Sequence, residues 1–141
     1  MNQITINWKG KMAFEADCPS GTTLRMDSYP ESGGENSGPT PVESLIAGIA
    51  GCSAMDVISI LQKKRQEVTG YRIEVEWERG PEGVYPRPVT GVKIKHIVSG
   101  VNLDPAAVER SIELSEDKYC TVIATVRSGT KVESSWSIEE A

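Results

Sequence analysis

The 141 residues predict an α+β fold in a single domain spanning 1–141, with antiparallel sheets wrapped around the central helices of an intertwined homodimer. Three observations predict it. Both ends of the chain alternate apolar and polar residues with a period of two, as half-buried strands do. Between them runs one long helical segment whose polar residues collect on no wide face. Only one other clear helical segment exists to cover it, so a second copy of the chain is the natural cover for so much apolar surface.

At the start, Ile4, Ile6 and Trp8 alternate with Gln3, Thr5 and Asn7, and Gly10 then allows a turn. Met12, Phe14, Ala16 and Cys18 alternate with Lys11, Ala13, Glu15 and Asp17. A third strand, Thr22 to Asp27, follows Pro19, Ser20 and Gly21. The pattern is a meander with one apolar face. Residues 28–40, SYPESGGENSGPT, hold three Gly and two Pro among polar neighbours, which makes them a loop.

A strong helix start follows. Thr40 at the N-cap, Pro41 at N1 and Glu43 at N3 form a capping box, and the proline's missing N–H falls where no partner is needed. The helix should run to Lys64 or Arg65, where cations suit its negative end. Its middle, AGIAGCSA, is nearly all small residues; Gly48 and Gly51 cost roughly 1 kcal/mol each relative to Ala. Such a cost is accepted where another backbone comes close, and the expectation is a helix buried on most sides.

Tyr71 to Glu78 reads as a strand with Tyr71, Ile73, Val75 and Trp77 on one face and Arg72, Glu74, Glu76 and Glu78 on the other. GPEGVYPRP is a turn-rich connection, and Val92, Ile94, His96 and Val98 share a face of the next strand. Asp104-Pro105 opens a second helix with Val108, Ile112 and Leu114 among its apolar positions, running towards Lys118. KYCTVIATV fits a short helix or a strand, and the closing strand places Val132, Trp136 and Ile138 on one face.

Apolar residues at 38% and charged residues at 25% exclude a disordered chain. A net charge of −5 argues against a nucleic-acid partner, since no basic excess exists to meet phosphates. Cys18, Cys52 and Cys120 lie far apart, with no CxxC and only His96 to help, so neither a structural zinc site nor a disulfide scaffold is expected. MNQITINW lacks the charged head and apolar run of a signal peptide. Ser53, Asp56 and Ser59 interrupt the apolar run within residues 45–61, so no membrane span is expected. The expectation is a cytoplasmic protein.

Cys52 lies mid-helix among small residues, where a free cysteine serves as a small hydrophobe or as a nucleophile on a rigid element. Cys120 follows the second helix and could also be packing. Together the two could form a redox couple, in which a sulfenic acid on one condenses with the other to a disulfide. Cys18, on the apolar face of a strand, reads as core. The capping box alone accounts for Glu43; its functional alternative is to orient a cation beside the thiol. Nine residues separate Glu43 from Cys52, which is about 900° and roughly 13 Å on a straight helix, so such help would come across a dimer or from a bend. His96 on an apolar strand face is more often a core histidine than a base, though a Cys52/His96 acyl-transfer pair is conceivable. Lys93 and Lys95 face the other way as solvated charges.

The stretch GPTPVESLIAGIAGCSAMDVISILQKKRQEV, together with LSEDKYCTVIATV, resembles the OsmC/Ohr family in its YhfA-like branch. The matched order is a P-x-E-x-L helix start, a cysteine about two and a half turns on, a charged helix end, an extended strand, and a second helix ending at KYC. The two cysteine motifs stand in order 68 positions apart, at 52 and 120. The resemblance covers the chain from about residue 38 onward, and the first strands are compatible with it.

The resemblance implies an intertwined α+β homodimer with sites at the subunit interface, and reduction of organic hydroperoxides. By match of motif, Cys52 would be the peroxidatic cysteine, Cys120 the resolving one, and Glu43 the carboxylate that orients an activating arginine. The reductant would be a dithiol or lipoyl protein, with no cofactor and no metal. The residues add that a pocket lined by Ile46, Ile49 and Met55 would favour an apolar hydroperoxide. A mid-helix thiol needs a nearby cation to ionise. Before the helix the sequence offers only Arg25, which matches no family motif, besides Lys9 and Lys11. Asp56, one turn after Cys52, would oppose ionisation if it faces the thiol. The alternative function is a non-catalytic OsmC-fold protein binding a small apolar ligand at the dimer interface.

Overall fold

Alternation does its expected work at the start of the chain. Strands β1 (Thr5–Trp8), β2 (Phe14–Asp17) and β3 (Thr23–Met26) pair as an antiparallel meander, with Ile6 opposite Ala16 and Ala16 opposite Leu24. β2 begins at Phe14 rather than Met12. The turn at Gly10 and Lys11, both at positive φ, uses the residues up to Ala13, whose carbonyl accepts from Lys9 N–H. The apolar face exists but lies largely open in the single chain, with Ile4 and Ile6 55% and Trp8 65% exposed.

The structure is a computed structural model describing residues 2–127, 129 and 131–141, the side chains of Lys131 and Val132 excepted. The chain divides into two compact units, Met1–Leu45 and Ile46–Ala141. In the first unit, buried Asp27 organises the loop that follows. Its carboxylate accepts from Ser37 Oγ and from the backbone N–H groups of Ser28, Glu35 and Ser37, which hold its pKa down to about 2. Gly34 passes so close to Ser28 O that any Cβ there would overlap it.

Helix α1 (Pro41–Lys63) starts as the capping box requires. Thr40 N–H donates to Glu43 Oε1 at 2.8 Å and Glu43 N–H donates to Thr40 Oγ1 at 3.1 Å. Beyond it, Arg65 takes a left-handed conformation. The buried residues of α1 are Ile46, Ile49, Ala50, Ser53, Val57 and Leu61, at steps of three and four. That is one stripe, so the expected burial on most sides is not provided by this chain. Leu45 and Met55 remain 45% and 73% exposed. By length and composition α1 is also long and apolar enough to cross a membrane.

In the second unit, β4 (Glu67–Arg79) and β5 (Val89–Val101) pair antiparallel, placing Ile73 opposite His96 and Val75 opposite Ile94. α2 (Pro105–Leu114) is capped by Asp104, whose side chain accepts from Ala106 N–H. A π-helical turn (Ser115–Tyr119) and the short α3 (Thr121–Val126) follow, which resolves KYCTVIATV as helical. β6 (Lys131–Glu140) then pairs with β5 in parallel. Here the expectation of antiparallel sheets is corrected: the helices between β5 and β6 carry the chain back along the sheet, the kind of crossover that parallel pairing demands. In β6, Trp136 and Ile138 pack inward as expected; the side chain of Val132 lies outside the described residues.

The core joins Val57 and Leu61 of α1 to Val98 of β5 and to Leu103, Val108 and Ile112. Each such aliphatic side chain contributes about 1.5–3 kcal/mol by leaving water. His96 is fully buried, with Nδ1 2.6 Å from the Tyr71 hydroxyl. Desolvation pulls the imidazole down to about 4, so it is a neutral core histidine.

Thr40→Ala should lower stability by about 1 kcal/mol, read as a shift of the urea midpoint at unchanged m-value. His96 makes stability depend on pH in a fixed direction. Its folded pKa of about 4 lies below the ordinary 6.5, so its contribution is complete above pH 6.5 and declines as pH falls towards 4. The slope should reach at most about 1.4 kcal/mol per pH unit. His96→Phe should flatten this segment of the stability profile; an unchanged slope would contradict the assignment.

Candidate functional site

Helical spacing builds one side of the site. Cys52 and Asp56 stand one turn apart on α1, where residues four apart are surface neighbours. Ser53, next to Cys52, falls on the buried stripe and points into the unit.

The other side comes from the π-helical turn. Its closing bond runs from Cys120 N–H to Ser115 O at 2.7 Å, which brings residues five apart onto one turn. Ser115 Oγ donates to Asp56 Oδ2 at 3.0 Å, leaving it to accept from Ser53 Oγ, also at 3.0 Å. Both serines are fully buried.

This bridge sets Cys120 beside Cys52. The two sulfurs and an Asp56 carboxylate oxygen all lie within 4.8 Å of one another, and both cysteines are free thiols. Cys120 is buried at 3% exposure, whereas Cys52 and Asp56 are half-buried. Burial pushes the Cys120 thiol up to about 11, with Cys52 and the Asp56 charge adding to the rise; an N–H from Ile123 to its sulfur at 3.4 Å works the other way. Cys120 is therefore a neutral thiol at physiological pH. Two sulfurs and a carboxylate can exchange a disulfide or ligate a soft metal ion.

The remaining predicted residues are not among the three donors of that cluster. Glu43 is engaged within its own unit, by the capping box and by the Tyr29 hydroxyl, which donates to Oε2 at 3.0 Å. Those hydrogen bonds hold its carboxyl below the usual range. Arg25 is bound to Glu15 at 2.8 Å and to Ser37 Oγ at 3.0 Å. His96 lies outside the cysteine group, and half-buried Cys18 donates weakly to Ala16 O. Within this chain Ile46 and Ile49 are buried, while Met55, nine residues from Ile46, projects from the opposite side of α1 at 73% exposure, so the three do not face one pocket of the single chain. An open groove of about 330 Å³, lined by Glu76, Trp77 and Lys93 among others, lies on the β4–β5 sheet instead.

Ser53 and Ser115, which bridge α1 and the π turn beside the two cysteines, are the residues of this cluster that sequence reasoning missed. The available signal was the position of Ser53, four residues after Ile49 on the apolar stripe, where a hydroxyl needs a buried partner.

Comparison with known proteins identifies the family and the fold. The OsmC-like protein family matches residues 34–135. Protein YhfA of Escherichia coli strain K12 is 34% identical over 142 aligned positions, covering 99% of both chains. A crystal structure of a hypothetical protein from Aquifex aeolicus superposes with a TM-score of 0.84 at 28% identity, covering 100% of this chain and 98% of the other. An organic hydroperoxide resistance protein OsmC from Legionella pneumophila shares the fold, with a TM-score of 0.64 at 16% identity over 99% and 98% of the two chains. The family match over residues 34–135 and a likeness to YhfA along the whole chain place this protein in the OsmC-like family.

Proposed function

We propose that the protein is a thiol-dependent peroxidase that reduces organic hydroperoxides. The observation that carries this reading is the meeting of Cys52 and Cys120, 68 positions apart in sequence, as free thiols within 4.8 Å. Half-buried Cys52 attacks as thiolate; its sulfur takes the outer peroxide oxygen, and the alkoxide leaves and is protonated to the alcohol. The sulfenic acid on Cys52 then condenses with the Cys120 thiol, forming the S–S bond and releasing water. A dithiol, such as a lipoyl protein, restores both thiols by exchange and is itself oxidised to a disulfide. The raised pKa of Cys120 supports this division of labour, because a thiol that stays protonated waits for the sulfenic acid instead of competing for peroxide.

The reading includes a cytoplasmic homodimer. The exposed side of α1 with Leu45 and Met55, and separately the exposed meander face with Ile6 and Trp8, are apolar surfaces that a second copy would cover. Glu43 would orient the cation that activates Cys52 in that assembly. One observation favours the alternative, a non-catalytic protein binding an apolar ligand at the interface. Asp56 shares the site with both sulfurs, and among the described residues it forms no ion pair to offset its charge.

Peroxide loss with cumene hydroperoxide and dithiothreitol separates the two. Wild type should exceed Cys52→Ser by at least about a hundredfold, in line with loss of the only nucleophile of the reaction. With dithiothreitol left out, Cys120→Ser should turn over once and stop as a sulfenic acid, detected by dimedone labelling. Equal rates for wild type and Cys52→Ser would leave the binding reading in possession. For the assembly, light scattering should give twice the chain mass, and Met55→Glu should shift it to the monomer.

A further inference from the structure

We propose that the reduced Cys52–Asp56–Cys120 cluster binds one soft divalent cation of the zinc type, with two thiolates and one carboxylate as its protein ligands. The donor atoms come from two elements, α1 and the end of the π turn, and all lie within 4.8 Å of one another. Tetrahedral zinc, with Zn–S near 2.3 Å and Zn–O near 2.0 Å, needs donors roughly 3.5–3.8 Å apart, so a contraction of about 1 Å completes the set.

The chemistry of the donors selects the ion. Thiolates prefer zinc and its softer neighbours and exclude magnesium and calcium, which want oxygen. The carboxylate is already oriented, because Ser115 Oγ donates to Asp56 Oδ2 and is itself anchored by Ser53, an arrangement that fixes ligands in metal sites from the second layer. No hydrogen bond engages Asp56 Oδ1 among the described residues, and no ion pair neutralises the carboxylate. The half-buried Cys52 and Asp56 leave an approach from outside, while buried Cys120 forms the floor. Three protein ligands leave a fourth position for water.

Binding replaces two S–H protons by the metal, so about two protons leave per ion bound, and the divalent ion together with its two thiolates and carboxylate carries a net charge of −1. No electron is exchanged. Metal ligation and the disulfide are mutually exclusive, because each consumes both sulfurs. The inference stands on the cluster's geometry and holds for a protein without peroxidase activity.

The test uses reduced, untagged full-length protein with Zn²⁺ or Co²⁺ as the only probes. Calorimetry in buffers of different ionisation enthalpy should give one Zn²⁺ per chain with release of about two protons. Co²⁺ should produce a thiolate-to-metal charge-transfer band that Zn²⁺ abolishes. Asp56→Asn should weaken Zn²⁺ at least tenfold and Ser115→Ala about tenfold, the range expected for second-layer support. Wild type oxidised to the Cys52–Cys120 disulfide, shown folded by circular dichroism, serves as the control that needs no mutation and should give no band. Absence of the band from reduced wild type overturns the proposal. So does Zn²⁺ binding of equal strength in the oxidised protein or in the Cys52→Ser/Cys120→Ser variant.

Discussion

The arrangement of the second unit hangs on one buried hydroxyl. Ser115 is fully buried, donates to Asp56 and accepts from Ser53, so both its hydrogen-bonding roles are filled by side chains of α1. A buried hydroxyl left unpaired costs about 1–3 kcal/mol, which ties the π turn to one position along the helix. Cys120 follows, because its N–H is bonded to the Ser115 carbonyl. The two elements that carry the sulfurs are thus joined by polar contacts of the neighbouring Ser53, Asp56 and Ser115 side chains.

That same bridge decides the electrostatics. By presenting Asp56 to the thiols it raises Cys120, adding a like charge to the effect of burial. A carboxylate beside two sulfurs asks for a positive partner. In the proposed peroxidase, the partner is a side chain that activates Cys52; in the proposed metal complex, it is the ion itself. The two proposals are answers to one unbalanced charge, and they differ in whether the sulfurs end as a disulfide or as ligands.

Much of the fold was legible because its causes are local. The capping box at Thr40 and Glu43 needs only three residues of spacing, and it forms as read. The alternation from Tyr71 to Trp77 and from Val92 to Val98 fixes which side of each strand turns inward whatever lies beyond. The parallel course of β6 was not legible, since nothing in its own residues distinguishes the direction of its neighbour. Nor was the single buried stripe of α1: small and apolar residues surround that helix, and composition does not say which of its sides this chain covers. The cysteine pair was legible as a pair by resemblance to a family, and the serines that seat it were not, because a hydroxyl on an apolar stripe has no identifiable partner until the chain is folded.

The sequence by itself determined the starts of α1 and α2, the inward faces of β4 and β5, the candidate thiols and the family resemblance, all of which depend on spacing along the chain. Only the tertiary structure decided that Cys120 meets Cys52, that Asp56 faces both, and that Glu43 spends its carboxylate on Thr40 and Tyr29. The reason is physical: propensity and periodicity act between neighbours in sequence. Burial and hydrogen bonding between residues some sixty positions apart, such as Ser53 and Ser115, exist only once a packed interior has removed water as the competing partner.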